Sequence, residues 1–368
     1  RKIFDNSPFK NVVLFSVMLS GYLQHEEDLL AFQLFEKMEG FGIVPDIYVY
    51  TCVLKACGIA RSLVEAKWIH CSIIRANLEW DVAVGSSLID VYSKCGCLEE
   101  ARKVFDKLPQ KNEVAWGAML SGYNQHGQEF LALDLFQKML NDGEKNPDKV
   151  RLLCVLKACG RMGALFHGKA IHALIKTNKV NVDVILGNAM IDMYAKCGNL
   201  EEAYVVFNEL KERDIISWGA MIAGYAQQGR HEIVKQLLGA MQCEGISPNG
   251  VIYSSILSAC SHSGEVKEGY GYFISMKFDH GISPSYEHTN CMIDLLSRVG
   301  LLNEAEKLLQ ASMSSLSDTM AWTSLLTACR TYGNLELGKQ CYKKVVQLSP
   351  DISSGYVTMS NIFADAHL

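Results

Sequence analysis

Residues 90–106 read DVYSKCGCLEEARKVFD. Lys94, Cys95 and Cys97 lie close together there. A C-x-C beside a lysine has the makings of half a zinc clamp, or of a thiol pair activated for redox work. A second stretch, DMYAKCGNLEEAYVVFN at 192–208, argues against both. Cys95 recurs in it as Cys197, but Cys97 is replaced by Asn199. A metal half-site would not lose a ligand in its own copy, whereas a turn between two helices tolerates either residue. Cys52/Cys57 and Cys154/Cys159 share a C-x4-C spacing. Five residues along a helix turn through about 140°, so those sulfurs diverge. His25-Glu26-Glu27 offers the H-x-E of a zinc deaminase without the P-C-x-x-C that must accompany it. His231-Glu232 lacks the second histidine of H-E-x-x-H. Neither G-x-x-x-x-G-K-[ST] nor G-x-S-x-G occurs. The expectation is a chain with no catalytic constellation, no metal and no cofactor.

What positions these residues is a repeat. Gly-Tyr recurs at 21–22, 122–123 and 224–225, and Ala-Cys at 56–57, 158–159, 259–260 and 328–329. Equivalent positions fall at Tyr22, Cys57, Tyr92, Tyr123, Cys159, Tyr194, Tyr225, Cys260, Leu296 and Cys329, in steps of about 35, 35 and 31 residues. Cysteine trading places with tyrosine points to packing. The thirteen cysteines, an odd number without any C-x-x-C, fit reduced and mostly buried thiols.

Each unit reads as two helices. The first carries apolar residues at helical spacing, as in Trp116, Met119, Leu120 and Tyr123. A glycine then stops it, at Gly96, Gly127, Gly163, Gly198, Gly229, Gly264, Gly300 and Gly333. The second helix has a small residue where the axes approach, such as Ala31, Ala66, Ala101, Ala132, Gly168 or Ala203. Pro45, Pro147, Pro248 and Pro284 each precede the end of a unit by one residue, outside any expected helix. No strand-type alternation is sustained. The predicted fold is an all-α solenoid in which each pair buries its apolar face only against its neighbours.

Composition agrees with that picture. The chain has 368 residues, 49% hydrophobic and 20% charged, with a formal net charge of −5. No global basic field advertises a nucleic acid, although a local stripe survives such averaging. No apolar run approaches the ~18 residues of a membrane span.

The stretches DMYAKCGNLEEA, SWGAMIAGYAQQG, VLKACGRMGALFHGKAIHALI and SILSACSHSGEVKEGYGYF resemble the pentatricopeptide repeat (PPR) proteins of plant organelles. The similarity is to the subclass with alternating P, L and S repeats, and it covers essentially the whole chain. On that template residues 1–11 are the tail of an S repeat, and nine repeats fill 12–318. They run 12–46, 47–81, 82–112, 113–148, 149–183, 184–214, 215–249, 250–285 and 286–318. Residues 319–352 resemble the first extension motif of that subclass, and 353–368 the start of the second. The resemblance implies a right-handed superhelix and a mitochondrial or chloroplast location. It implies a specificity factor for C-to-U RNA editing, with any deaminase-like domain beyond Leu368. The implied partners are single-stranded RNA of an organellar transcript and, through 319–368, proteins of an editing complex. A rival expectation is a tetratricopeptide-like protein scaffold, which KKVVQLSPDISSGYVTMSNIF at 343–363 resembles.

The resemblance also implies site residues. In the family the fifth and last residues of a repeat select one base. The pairs here are Ser16/Asp46, Ser86/Asn112, Asn188/Asp214 and Asn290/Asp318, implying G, A, U and U. Gly117/Asp148 and Gly219/Asn249 lack a polar fifth residue, so selection there is expected to be slack. The L-repeat pairs Thr51/Asp81, Leu153/Asp183 and Ser254/Ser285 carry little prediction. Base-sandwiching falls to the second residues, Val13, Tyr48, Ala83, Val114, Val150, Ile185, Ile216 and Val251. Their alternative is ordinary partial burial between helices. Phosphate contact falls to the thirteenth residues Lys94, Arg161, Lys196 and Arg298. For the last residues the plain alternative is helix N-capping, and both roles can coexist. The base contacts are expected to be solvent-exposed and modest in energy.

Overall fold

The computed structural model describes residue 4 and residues 9–25, 27–143, 146–312 and 319–365. Glu26 and Asp318, named above, lie outside them, as does most of the 1–11 tail. The described residues form twenty-one helices and no strand. Those of residues 1–180 are α1 (Val12–Gln24), α2 (Asp28–Gly40), α3 (Ile47–Ala60), α4 (Leu63–Arg75), α5 (Val82–Lys94), α6 (Leu98–Lys107), α7 (Glu113–Gln125), α8 (Glu129–Asn141), α9 (Lys149–Met162) and α10 (Leu165–Thr177). Those of residues 181–368 are α11 (Val184–Lys196), α12 (Leu200–Glu209), α13 (Ile215–Gln227), α14 (His231–Cys243), α15 (Gly250–Ser263), α16 (Val266–Phe278), α17 (Tyr286–Arg298), α18 (Leu302–Ser312), α19 (Thr319–Thr331), α20 (Leu335–Leu348) and α21 (Ser353–Asp365).

Within each of the two units the odd-numbered helices pack side by side in series. Each even-numbered helix packs on the odd-numbered helix before it and, within its unit, on the one after. The difference follows from sequence. α5 buries Val84, Leu88, Ile89, Val91 and Tyr92, because it is covered on several sides. α6 buries only Leu98, Ala101, Val104 and Phe105, a single stripe. Its other face carries the exposed pairs Arg102–Asp106 and Lys103–Glu100. The same joint recurs in both units. Phe105 meets Trp116 edge-on with centroids 4.8 Å apart, and Phe207 meets Trp218 at 4.8 Å. Such a pair adds about 0.5–1.5 kcal/mol beyond the area it buries.

Cys95 and Cys97 flank Gly96 in the turn between α5 and α6. Gly96 has φ 78° and closes α5, with Cys97 N–H donating to Tyr92 O at 2.8 Å and Gly96 N–H to Ser93 O at 3.1 Å. Asn199 and Gly198 repeat both bonds, to Tyr194 O at 2.9 Å and Ala195 O at 3.0 Å. This is the turn that only glycine enters without strain. Cys97 and Asn199 occupy the N-cap positions of α6 and α12, where Asn199 accepts from Glu202 N–H at 3.1 Å. No cluster of three metal-ligating side chains exists among the described residues. All eight predicted stop glycines have positive φ. Cys57, Tyr92, Cys159 and Tyr194 are buried.

Candidate nucleic-acid interface

Positions 2, 5, 9 and 13 of an α-helix fall within a sector of about 80°. Counted from the start of each odd-numbered helix, they form one stripe on that helix. Its second residues are exposed. Val13, Tyr48, Val114, Val150, Ile185, Ile216 and Val251 each keep more than half of their surface in water. They are not partly buried between helices, the plainer alternative. An aliphatic or aromatic side chain thus stands exposed at the same offset in one odd-numbered helix after another. Ala83 is exposed as well. Glu287 interrupts the series in α17, and Met320, 79% exposed, resumes it in α19. Met320 was missed from sequence, although its offset was readable.

The residue before each of α1, α3, α5, α7, α9, α11, α13, α15 and α17 is its N-cap. Asp46 accepts from Val49 N–H at 2.8 Å, Asn112 from Ala115 at 2.8 Å, Asp148 from Arg151 at 2.8 Å and Asn249 from Ile252 at 3.0 Å. Asp214 accepts from Ile216 at 3.0 Å and Ser217 at 2.8 Å. Each cap contributes about 1 kcal/mol. Capping also decides what such a side chain can offer outward. An asparagine whose Oδ1 is spent on the cap presents its amide N–H donors. A capping aspartate presents its second carboxylate oxygen, an acceptor only.

Two of the proposed pairs are in direct contact. Ser86 Oγ lies 3.0 Å from Asn112 Oδ1 and 2.6 Å from Val82 O. Asn188 Nδ2 donates to Asp214 Oδ1 at 3.0 Å. Ser16 Oγ donates to Val12 O at 2.8 Å, on the same face of α1. Asn290 is half-buried in α17, and its partner position Asp318 lies outside the described residues. Gly117 and Gly219 leave room. A Cβ on Gly117 would meet Val150 Cγ1 at 3.6 Å, and one on Gly219 would meet Ile252 Cγ1 at 3.6 Å and Cδ1 at 4.0 Å. The fifth residues are not solvent-exposed as expected: Ser86 is 2% exposed and Asn188 8%. They sit in the groove between successive helices, because the next helix begins directly beside them. Burial alone would raise the Asp214 pKa. Hydrogen bonds from Ser217, Asn188 and Ile216 outweigh it and hold the carboxyl below its ordinary range.

The thirteenth residues carry charge, but not free charge. Lys94 Nζ is 2.6 Å from Asp90 Oδ2, Lys196 Nζ 2.6 Å from Asp192 Oδ2, and Arg298 Nε 2.7 Å from Asp294 Oδ2. Arg161 reaches Glu129 at 3.1 Å and the Asn124 carbonyl. Lys55 and Lys157, the ninth residues of α3 and α9, are exposed and make no ion pair among the described residues. They are the cations on this stripe that sequence reasoning passed over.

The comparisons bear on the family and the fold. Residues 10–58 and 213–262 match the PPR repeat family, and residues 86–113, 114–144, 188–215, 251–279 and 288–312 match the PPR repeat. Together they take in more than half of the chain. A mitochondrial pentatricopeptide repeat-containing protein of Arabidopsis thaliana is 37% identical over all of this chain and 65% of its own length. The chloroplastic pentatricopeptide repeat-containing protein CRR2 of the same plant is 34% identical over all of this chain and 57% of its own length. This chain thus spans less than two thirds of either relative. The crystal structure of PPR10 in complex with an 18-nt psaJ RNA element matches with a TM-score of 0.82 at 16% identity, covering 99% of this chain and 55% of that one. The crystal structure of PPR10 from maize matches with a TM-score of 0.54 at 15% identity, covering 100% and 63%. At such identity the likeness is one of fold. With helix pairs, turns and stripe residues all recurring in register, the chain belongs to the PPR repeat family.

Proposed function

We propose that this chain binds single-stranded RNA sequence-specifically, one base per helix pair, and that it is the specificity part of an organellar C-to-U editing factor. One observation carries the binding: an exposed aliphatic side chain stands at the head of successive odd-numbered helices, one turn before the residue that faces the next N-cap. Aliphatic faces such as Ile185 and Ile216 sandwich a base, and the polar pair below reads its edge. Asp214 accepts the imide N–H of uracil, and the free amide hydrogen of Asn188 donates to a uracil carbonyl. Asn112 donates to the N1 of adenine. The grouping of repeats into P, L and S triplets, and of 319–352 and 353–368 into extension motifs, supports the editing assignment. The relatives' names place them in mitochondria or chloroplasts, and the same is proposed for this protein. Partner proteins of the editing machinery would meet residues 319–368.

From N- to C-terminus the repeats read G, weak, A, G or U, weak, U, A or C, weak, U. RNA runs with its 5′ end toward the N-terminus, and the edited C lies a few nucleotides past the last U. The test is a panel of RNAs of this order, varied at the nucleotide facing 184–214. Wild type should rank U first, and Asp214→Asn should move the preference toward C. Identical rankings would remove these residues from base reading. Binding indifferent to RNA sequence and salt would favour the protein-scaffold alternative.

A further inference from the structure

The two-residue reading leaves one polar group unused. Ser217 is fully buried in the first turn of α13, three residues past Asp214. Its Oγ lies 2.6 Å from Asn188 Oδ1 and 2.9 Å from Asp214 Oδ1, and it accepts from Asp214 N–H at 3.2 Å. One hydroxyl has one proton to give. Asp214 Oδ1 already accepts three N–H groups, from Ile216, Ser217 and Asn188. Asn188 Oδ1 is the nearer acceptor and is buried, so the proton goes there.

We infer that Ser217 is a positioning residue for base selection, resting on the reading of Asn188 and Asp214 above. Its hydroxyl ties down Asn188 Oδ1, while Asp214 ties down one hydrogen of Nδ2. The amide is held at both ends. It turns its second N–H toward the base, beside the outer oxygen of Asp214. A donor next to an acceptor matches a carbonyl next to an imide N–H, which is the edge of uracil. Cytosine presents an unprotonated N3 to the carboxylate and an amino group to the amide hydrogen, and mismatches twice.

The device is local to this junction. The corresponding residue after Asn112 is Ala115 and after Asn249 is Ile252, neither of which has a polar side chain. Elsewhere the third residue is polar only at Arg151, whose Nε lies 3.3 Å from Asp148 Oδ1, and at His288, whose Nδ1 lies 2.7 Å from Ser285 Oγ. Each of these also touches the residue capping its helix.

Without the hydroxyl, Asn188 Oδ1 is a buried acceptor lacking that donor, and its relief is to turn toward the base. It can then accept from the cytosine amino group, and discrimination falls. The experiment measures the affinity of wild type, Ser217→Ala, Ser217→Thr and Asp214→Asn for RNAs carrying U or C opposite repeat 184–214. The A-against-C ratio opposite 82–112 serves as internal control. Ser217→Ala should lose about fivefold of its U-over-C ratio, the worth of one hydrogen bond. Ser217→Thr, which keeps the hydroxyl, should retain the ratio, and the control ratio should hold in both. Because ratios are compared within one protein, a variant that is less stable still reports. An unchanged U-over-C ratio in Ser217→Ala, alongside a shifted ranking in Asp214→Asn, would overturn the inference and leave the base-reading pair intact. An unchanged ranking in Asp214→Asn would remove the pair itself, and the inference with it.

Discussion

Replacing Gly219 by serine should turn a helix pair that takes A or C with slack selection into one that prefers adenine. Gly219 lies one turn into α13, at the place Ser86 occupies in α5. The added Cβ meets Ile252 Cγ1 at 3.6 Å and Cδ1 at 4.0 Å, ordinary contact, so nothing has to move. Its hydroxyl should then copy Ser86, which sits 2.6 Å from the carbonyl one turn back and 3.0 Å from the asparagine capping the next helix. Asn249 is that asparagine here, already capping with its Oδ1 at 3.0 Å from Ile252 N–H. Two magnitudes follow. Glycine inside a helix costs about 0.5 kcal/mol relative to serine, so the variant should melt slightly higher. A base-edge contact discriminates by about 1–3 kcal/mol in groove readout of DNA. The burial of Ser86 argues for the middle of that range, roughly tenfold or more in affinity. Fluorescence anisotropy with four RNAs differing at the nucleotide facing 215–249 measures it. If the variant binds all four within twofold of one another while melting normally, the fifth and last residues do not read a base together.

The remaining expectations are brief. Lys55→Ala with Lys157→Ala should weaken binding to all sequences and flatten its salt dependence by about one ion per lysine, as for lost phosphate contacts. Lys94→Ala and Lys196→Ala should also weaken binding, and Asp90→Asn should strengthen it and steepen the salt slope, because Lys94 is then released from its ion pair. No change in slope for either set would place the stripe off the RNA path. The Asp214 carboxyl is held below the ordinary 3.8, so the stability it adds is present above that pH and lost as pH falls through its folded value. The preference for U should therefore persist into mild acid, and its loss well above pH 3.8 would contradict the hydrogen bonding described. Burial, reinforced by Glu65 and Glu268 respectively, pushes the Cys57 and Cys260 thiols up to about 12, while Cys71 and Cys243 are exposed. Alkylation at neutral pH followed by mass spectrometry should label the exposed pair first, and early labelling of Cys57 would argue against the packed core.

What could be read from the sequence was local. Gly96 or Gly163 stops a helix, and Asp46 or Asn112 starts one, through bonds spanning a few residues, so composition and spacing suffice. The exchange of cysteine with tyrosine at Cys57 and Tyr92 marked a core position for the same reason: a repeat shows its packing by what it substitutes. The pairing of Lys94 with Asp90 was equally legible, four residues back on one helix, and went unread. Tertiary structure alone decided three things. It left Val13, Val114 and Ile216 in water, which depends on where the neighbouring helix lies and not on their hydrophobicity. It buried Ser86 and Asn188, because the following helix starts against them. It brought Asn188, Asp214 and Ser217 into one hydrogen-bonded group across the span of a repeat. Such a contact is fixed by how one helix pair stacks on the next, and sequence spacing carries no signal of which side chain meets which atom.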